Sequence, residues 1–124
     1  MQANIRTIVD SQHLSEIVVT GMLDKKAVDV TVLDLRKIKH AVADYFVICS
    51  GNSDTQIDAI SDSVEDTVKK QTKQSPWKRE GFKQREWILI DYVDVVVHIF
   101  SKDKRVFYGL EELWADANIT TVQD

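Results

Sequence analysis

The sequence predicts an α/β fold, a mixed β-sheet flanked by helices. Apolar residues recur at helical spacing in three segments, and four β-branched or apolar runs of strand length lie between them. The order helix, strand, strand, helix, strand, strand, helix is too rich in helices for a sandwich, and four strands are too few for a barrel.

The elements follow from local chemistry. Leu14, Ile17, Val18 and Met22 form one helical stripe after Ser11, a suitable N-cap, which predicts a helix to about Lys26. Val28 to Leu35 alternates and is β-branched, hence a strand, and Tyr45 to Ser50 is a continuous apolar strand. Gly51-Asn52-Ser53 supplies a turn and a cap. Ile57, Ile60, Val64 and Val68 mark the buried side of a long second helix that ends before Pro76 and crosses over to the later hairpin. Trp87 to Asp91 and Asp94 to Phe100 form that hairpin. Lys104 to about Ala117 reads as a last helix, buried through Phe107, Leu110 and Trp114.

Composition bounds the function. A chain of 124 residues forms one domain over residues 1–124, large enough to bury about 65–70% of the surface its unfolded form exposes. No apolar run approaches the ~20 residues of a membrane span. The opening MQANIRTIVD lacks the pattern of an export signal, and the single Cys49 forms no internal disulfide, so a cytoplasmic protein is expected. A net charge of −4 argues against coating nucleic acid by bulk attraction. The charge is uneven, however. Lys69, Lys70, Lys73, Lys78, Arg79, Lys83 and Arg85 lie in one segment. Asp58, Asp62, Glu65 and Asp66 gather before it, and Glu111, Glu112, Asp116 and Asp124 near the end. Such asymmetry fits a basic protein embedded in RNA, although solvated faces account for either set singly.

A two-residue turn at Tyr92-Val93 would set Asp91 opposite Asp94 and Trp87 opposite His98. One hairpin face then carries Ile88, Ile90, Val95, Val97 and Ile99, suited to packing under helices. The other carries Asp91, Asp94, Trp87, Leu89, Val96 and His98, a greasy centre with a charged edge that suits a partner.

No catalytic constellation competes with binding. Cys49 sits in the apolar strand end FVICS without an adjacent base and reads as a buried, inert thiol. His98 has no His or Cys at metal-ligand spacing and reads as a structural, hydrogen-bonded histidine. Asp91 and Asp94 could share a cation, yet a partner's Lys or Arg neutralises them better, so no metal or other cofactor is expected. Ser50-Gly51-Asn52-Ser53 lacks the pattern of a phosphate-binding loop and reads as turn and cap. Trp77, after Pro76 in a polar loop, is either a lid on the core or an interface anchor.

Four segments in order carry a resemblance: ADYFVICSGNSDTQIDAI (Ala43 to Ile60), the pair Glu80-Gly81, WILIDYVDVVVHIF and RVFYGLEELW. Together they resemble the ribosomal silencing factor (Iojap-like) family from about residue 14 to residue 117. Val93 departs from the glycine that the resemblance leads one to expect. The resemblance implies a fold related to nucleotidyltransferases but without their catalytic motif. Gly51 is followed by Asn52, and Asp58, Asp62 and Asp66 lie at helical spacing rather than as a strand carboxylate pair.

It further implies a homodimer when free that binds large-subunit ribosomal protein fourteen, blocks joining of the small subunit and lowers translation when nutrients are scarce. On that basis Tyr92, Asp94, Tyr108, Glu111 and Trp114 are the leading contacts, with Asp91 and Trp87 next. The aromatics supply desolvated area, and the carboxylates meet Lys or Arg. Lys78, Arg79 and Lys83 are candidates for contact with rRNA phosphates. The competing readings are a metal-dependent nucleotidyltransferase-like enzyme and a dimeric scaffold without ribosome contact.

Overall fold

A computed structural model of the chain describes residues 9–122. The first eight residues of the opening MQANIRTIVD, and Asp124 of the acidic C-terminal end, lie outside that range. The fold is mixed α/β, as expected. Helix α1 (Ser11–Asp24) is followed by β1 (Val28–Asp34), β2 (Tyr45–Gly51), α2 (Asp54–Thr72), β3 (Lys78–Glu80), β4 (Trp87–Asp91) and β5 (Val95–Ser101). Two short helices, α3 (Lys102–Tyr108) and α4 (Leu110–Leu113), lead into β6 (Asn118–Thr121). The sheet order is β3-β4-β5-β2-β1-β6, with β2 parallel to β5 and the other pairs antiparallel.

The parallel β2–β5 pair requires a crossover, and α2 makes it, as its apolar stripe predicts. Ser53 caps α2: its Oγ accepts from the Gln56 N–H at 3.1 Å, while Gln56 Oε1 accepts from the Asn52 N–H at 2.6 Å. The cap of α1 is Asp10 rather than Ser11; the Asp10 carboxylate accepts from the His13 N–H at 2.8 Å.

Helices α1 and α2 cover one sheet face. Leu14, Ile17, Val18, Met22, Ile57, Ile60, Val64 and Val68 pack there against Val47, Ile88, Ile90, Val95, Val97 and Ile99. The other face carries a smaller core built on Leu33, Leu35, Phe46, Ile48, Val96, Phe100 and Leu110. Cys49 is fully buried, and burial pushes its thiol up to about 12, far from the range of a reactive nucleophile.

Four expectations need correction. Two edge strands, β3 and β6, were not read as strands. Both are short and wholly exposed, so no burial pattern marks them. The expected last helix over 104–117 is broken at Gly109, whose φ of 54° ends α3 and opens α4. That break turns Phe107 outward, 74% exposed, rather than into the core.

The hairpin register is the third. Trp87 pairs with Phe100 and Asp91 with Val96, a shift of two residues, so Asp91 does not oppose Asp94. The Asp91 carboxylate accepts from the Val93 N–H at 2.7 Å, Val93 takes a φ of 77°, and the Tyr92 N–H donates to Val95 O at 2.9 Å. The turn residues are therefore Val93 and Asp94. A slip of two keeps every side chain on its expected face, whereas a slip of one would have inverted them. Fourth, Tyr92 lies in the core under α1 and α2, 6% exposed, so it is not a surface contact.

Candidate docking face

The sheet face opposite α1 and α2 is only partly roofed. Trp87 and Leu89 on β4 stand half-buried beside the smaller core, and Trp114 leans on it from the end of α4. The Phe46 and Trp114 rings meet edge to face at 5.7 Å between centroids, and Trp87 stacks on Phe100 at 5.0 Å. Tyr108, at the end of α3, lies over Trp87 at 4.6 Å. Four of the expected contacts thus gather on two neighbouring elements: Trp87 on β4, and Tyr108, Glu111 and Trp114 on the α3–α4 segment. The structure adds three that sequence reasoning missed: Val106, Phe107 and Leu113 of α3 and α4 are all strongly exposed. Three large exposed apolar side chains on one short segment exceed ordinary surface scatter and make this segment a candidate docking surface.

His98 sits beneath this layer, 3% exposed. Its Nδ1 accepts from the Trp87 indole N–H at 3.0 Å, and burial lowers its pKa from 6.5 to about 3, so the ring is neutral. Its Nε2 is buried without a hydrogen-bond partner among the described residues, and the imidazole meets the Phe46 ring edge to face at 4.6 Å between centroids. The expectation of a structural, hydrogen-bonded histidine fits this geometry.

Arg105 fastens α3 to the sheet. Its guanidinium donates to Asp29 O at 2.7 Å, Ser50 Oγ at 3.1 Å, Thr31 Oγ1 at 3.1 Å and Glu111 Oε2 at 2.9 Å. Glu111 is therefore the internal partner of a largely buried arginine rather than a free carboxylate awaiting a cation. Glu112 beside it is exposed and has that freedom. Sequence reading could not find this clamp, because Asp29, Ser50 and Arg105 are far apart in the chain.

At the other end of the sheet, the hairpin tip exposes Val93 and Asp94, and Trp77 stands nearby, 73% exposed, its N–H donating to Asp91 O at 2.8 Å. Trp77 is thus no lid on the core. Asp94 anchors the tip through its main chain, its carbonyl accepting from the N–H groups of Asp44 and Tyr45, which leaves the carboxylate outside.

The expected basic flank is largely neutralised within the chain. Lys78 pairs with Glu80 at 2.8 Å, Arg79 with Glu65 at 2.8 Å and Arg85 with Asp58 at 2.8 Å, while Lys83 is exposed. Asp66 is paired with Lys70 on α2. Among the described residues, no three His, Cys, Asp or Glu side chains converge as a metal site, and no helix is long and apolar enough to cross a membrane.

Known proteins share this chain's sequence and fold. A family model described as ribosomal silencing factor during starvation matches residues 9–124. The ribosomal silencing factor of Bacillus subtilis is 43% identical over 109 residues, covering 88% of this chain and 91% of that protein. The chloroplastic Iojap protein of Zea mays is 40% identical over 92 residues, which cover 74% of this chain and 39% of the longer plant protein. A crystal structure of a Bacillus halodurans protein superposes with a TM-score of 0.75 at 38% identity, covering 92% of this chain and all of that one. The chain belongs to the ribosomal silencing factor (Iojap-like) family.

Proposed function

We propose that this ribosomal silencing factor binds the free large ribosomal subunit through ribosomal protein fourteen and, by its bulk, keeps the small subunit from joining. Translation falls as a result when nutrients are scarce. The action needs binding energy and volume but no chemical step, so the protein is a cytoplasmic regulator and not an enzyme. Family membership carries the reading. The half-roofed aromatic face supports it, because a docking site requires a desolvated apolar centre with charges at its rim. Trp87, Tyr108, Phe107 and Trp114 supply the centre, exposed Glu112 supplies negative rim charge beside it, and Asp94 adds an exposed carboxylate at the hairpin tip for a basic partner. When free, the protein pairs as a homodimer.

The aspartates of α2 give the enzyme reading no foothold. Asp58, Asp62 and Asp66 lie at helical spacing rather than side by side on a strand, and two of them are engaged, Asp58 by Arg85 and Asp66 by Lys70, while Asp62 is exposed. The test is sedimentation of separated subunits with stoichiometric protein. The protein should travel with the large subunit, and the joined-ribosome peak should shrink. An unchanged profile with no protein in the large-subunit fraction would sink the proposal.

A further inference from the structure

The segment between β1 and β2 contains Arg36-Lys37-Ile38-Lys39-His40, four basic side chains around one apolar residue. Its backbone is tied down at both ends: the Leu35 N–H donates to Asp44 O at 2.8 Å, and the Ile38 N–H to Leu35 O at 3.0 Å. Ile38 and Ala41 pack on the smaller core, on which Trp114 also leans, and Ile38 shares a groove with Asp116 and Asn118 beyond α4, while the Asp44 N–H at the loop's far end donates to Asp94 O at 2.8 Å. The loop therefore borders the docking face at its Trp114 and hairpin-tip end, opposite Trp87. Because Ile38 points down, Lys37 and Lys39 on either side of it are left at the surface, and His40 is exposed with them.

The charges of this loop are not equivalent. Arg36 is held by Asp34 through Nε at 3.0 Å and Nη2 at 2.7 Å, and this contact keeps the Asp34 carboxyl below its usual range. Among the described residues, Lys37 and Lys39 form no ion pair. They open onto a groove of about 730 Å³ that Arg36, Asn118 and two carboxylates also line, Asp116 and the Asp34 already neutralised by Arg36. The groove is polar, with Ile38 its one large apolar side chain. It offers no anchor pocket of the kind that dominates protein interfaces, but it does offer mobile point charges that suit a phosphate backbone.

We propose that Lys37 and Lys39 form an RNA-phosphate contact surface that borders the docking face. The inference rests on the proposed large-subunit binding, since that surface would place RNA beside the protein partner. Of the expected rRNA contacts, Lys78 and Arg79 have their charges taken up by Glu80 and Glu65 and only Lys83 is exposed without an ion pair among the described residues, whereas this loop presents two such lysines side by side on one groove.

Counterion release makes the test quantitative. Two phosphate contacts give the wild type roughly ten-fold more affinity loss between about 50 and 200 mM salt than a Lys37→Ala/Lys39→Ala variant shows. Binding of both proteins, with Lys78→Ala as a control, would be followed on intact large subunits and on protein-free RNA extracted from them. The expected result is a flatter salt dependence for the double variant on both probes, at unchanged melting temperature, with Lys78→Ala behaving as wild type. Identical salt curves for wild type and double variant would overturn the inference while leaving large-subunit binding standing. Loop-dependent binding to RNA without binding to subunits would instead overturn the proposed function and keep the surface. Absence of binding to either probe would remove both.

Discussion

The Trp87 indole N–H donates to His98 Nδ1 at 3.0 Å, which turns the one polar atom of the indole inward. The half-buried ring therefore presents only apolar edge outward, stacked on Phe100 and touched at a tilt by Tyr108. A Trp that buries its N–H keeps its hydrophobic area without demanding a hydrogen bond from a partner. The acceptor role of Nδ1 requires a neutral ring, and the buried site enforces that state.

His98 also makes the fold acid-sensitive. Its folded pKa is lowered from 6.5 to about 3 by burial, so the unfolded chain binds the proton first as pH falls. Its contribution is fully present above pH 6.5 and is lost progressively between 6.5 and about 3, by on the order of a few kcal/mol. Urea midpoints across that range for wild type and His98→Gln isolate the effect, because the carboxylates titrate in both. The wild type should lose stability more steeply. Parallel curves would show that His98 is not held neutral.

Removal of the Arg105 guanidinium should undock α3. Arg105→Ala leaves Glu111 without its cation and three sheet acceptors without a donor, and should cost roughly 2–4 kcal/mol. Glu111→Gln keeps a hydrogen bond and should cost less. Amide exchange read with the thermal melts should show protection lost first over residues 102–113. Uniform loss across the chain would contradict a local clamp.

Two backbone sites should respond in opposite directions. Val93 is β-branched at a φ of 77°, where glycine is unstrained, so Val93→Gly should raise stability by up to about 1 kcal/mol. Gly81 has a φ of 88°, and a Cβ there would collide with the Trp87 carbonyl. Gly81→Ala should therefore cost more than ~2 kcal/mol. Melting temperatures of the two variants check both signs, and a destabilised Val93→Gly would mean that turn stiffness outweighs the strain.

The sequence made the sheet faces legible because side-chain alternation survives a two-residue error in register: Ile88 and Ile90 fell correctly under the helices although their partners were misassigned. The same alternation assigns Tyr92 to the Ile90 side, a signal overridden by placing Tyr92 in the turn. The edge strands were illegible because nothing in Lys78–Glu80 or Asn118–Thr121 is buried. Phe107 was misplaced because a helical stripe was carried through Gly109, a residue that ends helices. Lys37 and Lys39 were legible as charge, but their freedom from ion pairs depends on which acids the fold brings near.

Asp91 and Asp94 separate structure from docking at the hairpin tip. The register removes the mutual repulsion expected of an opposed pair, so relief of that repulsion is no longer a reason for a cation to bind there. The Asp91 carboxylate instead holds the Val93 N–H at 2.7 Å and stabilises a strained turn. Asp91→Ala should therefore destabilise the fold by about 1 kcal/mol, the usual worth of such a local bond. The Asp94 side chain is exposed and makes no hydrogen bond or ion pair among the described residues, so Asp94→Asn should leave stability within roughly 0.5 kcal/mol. If Asp94 meets a desolvated Lys or Arg in the complex, the same change should weaken large-subunit binding by roughly 1–3 kcal/mol. A rim contact would give a smaller loss that vanishes at high salt. Melting temperature and large-subunit affinity measured on the same Asp94→Asn protein decide the matter: an affinity equal to wild type at low salt would remove Asp94 from the interface.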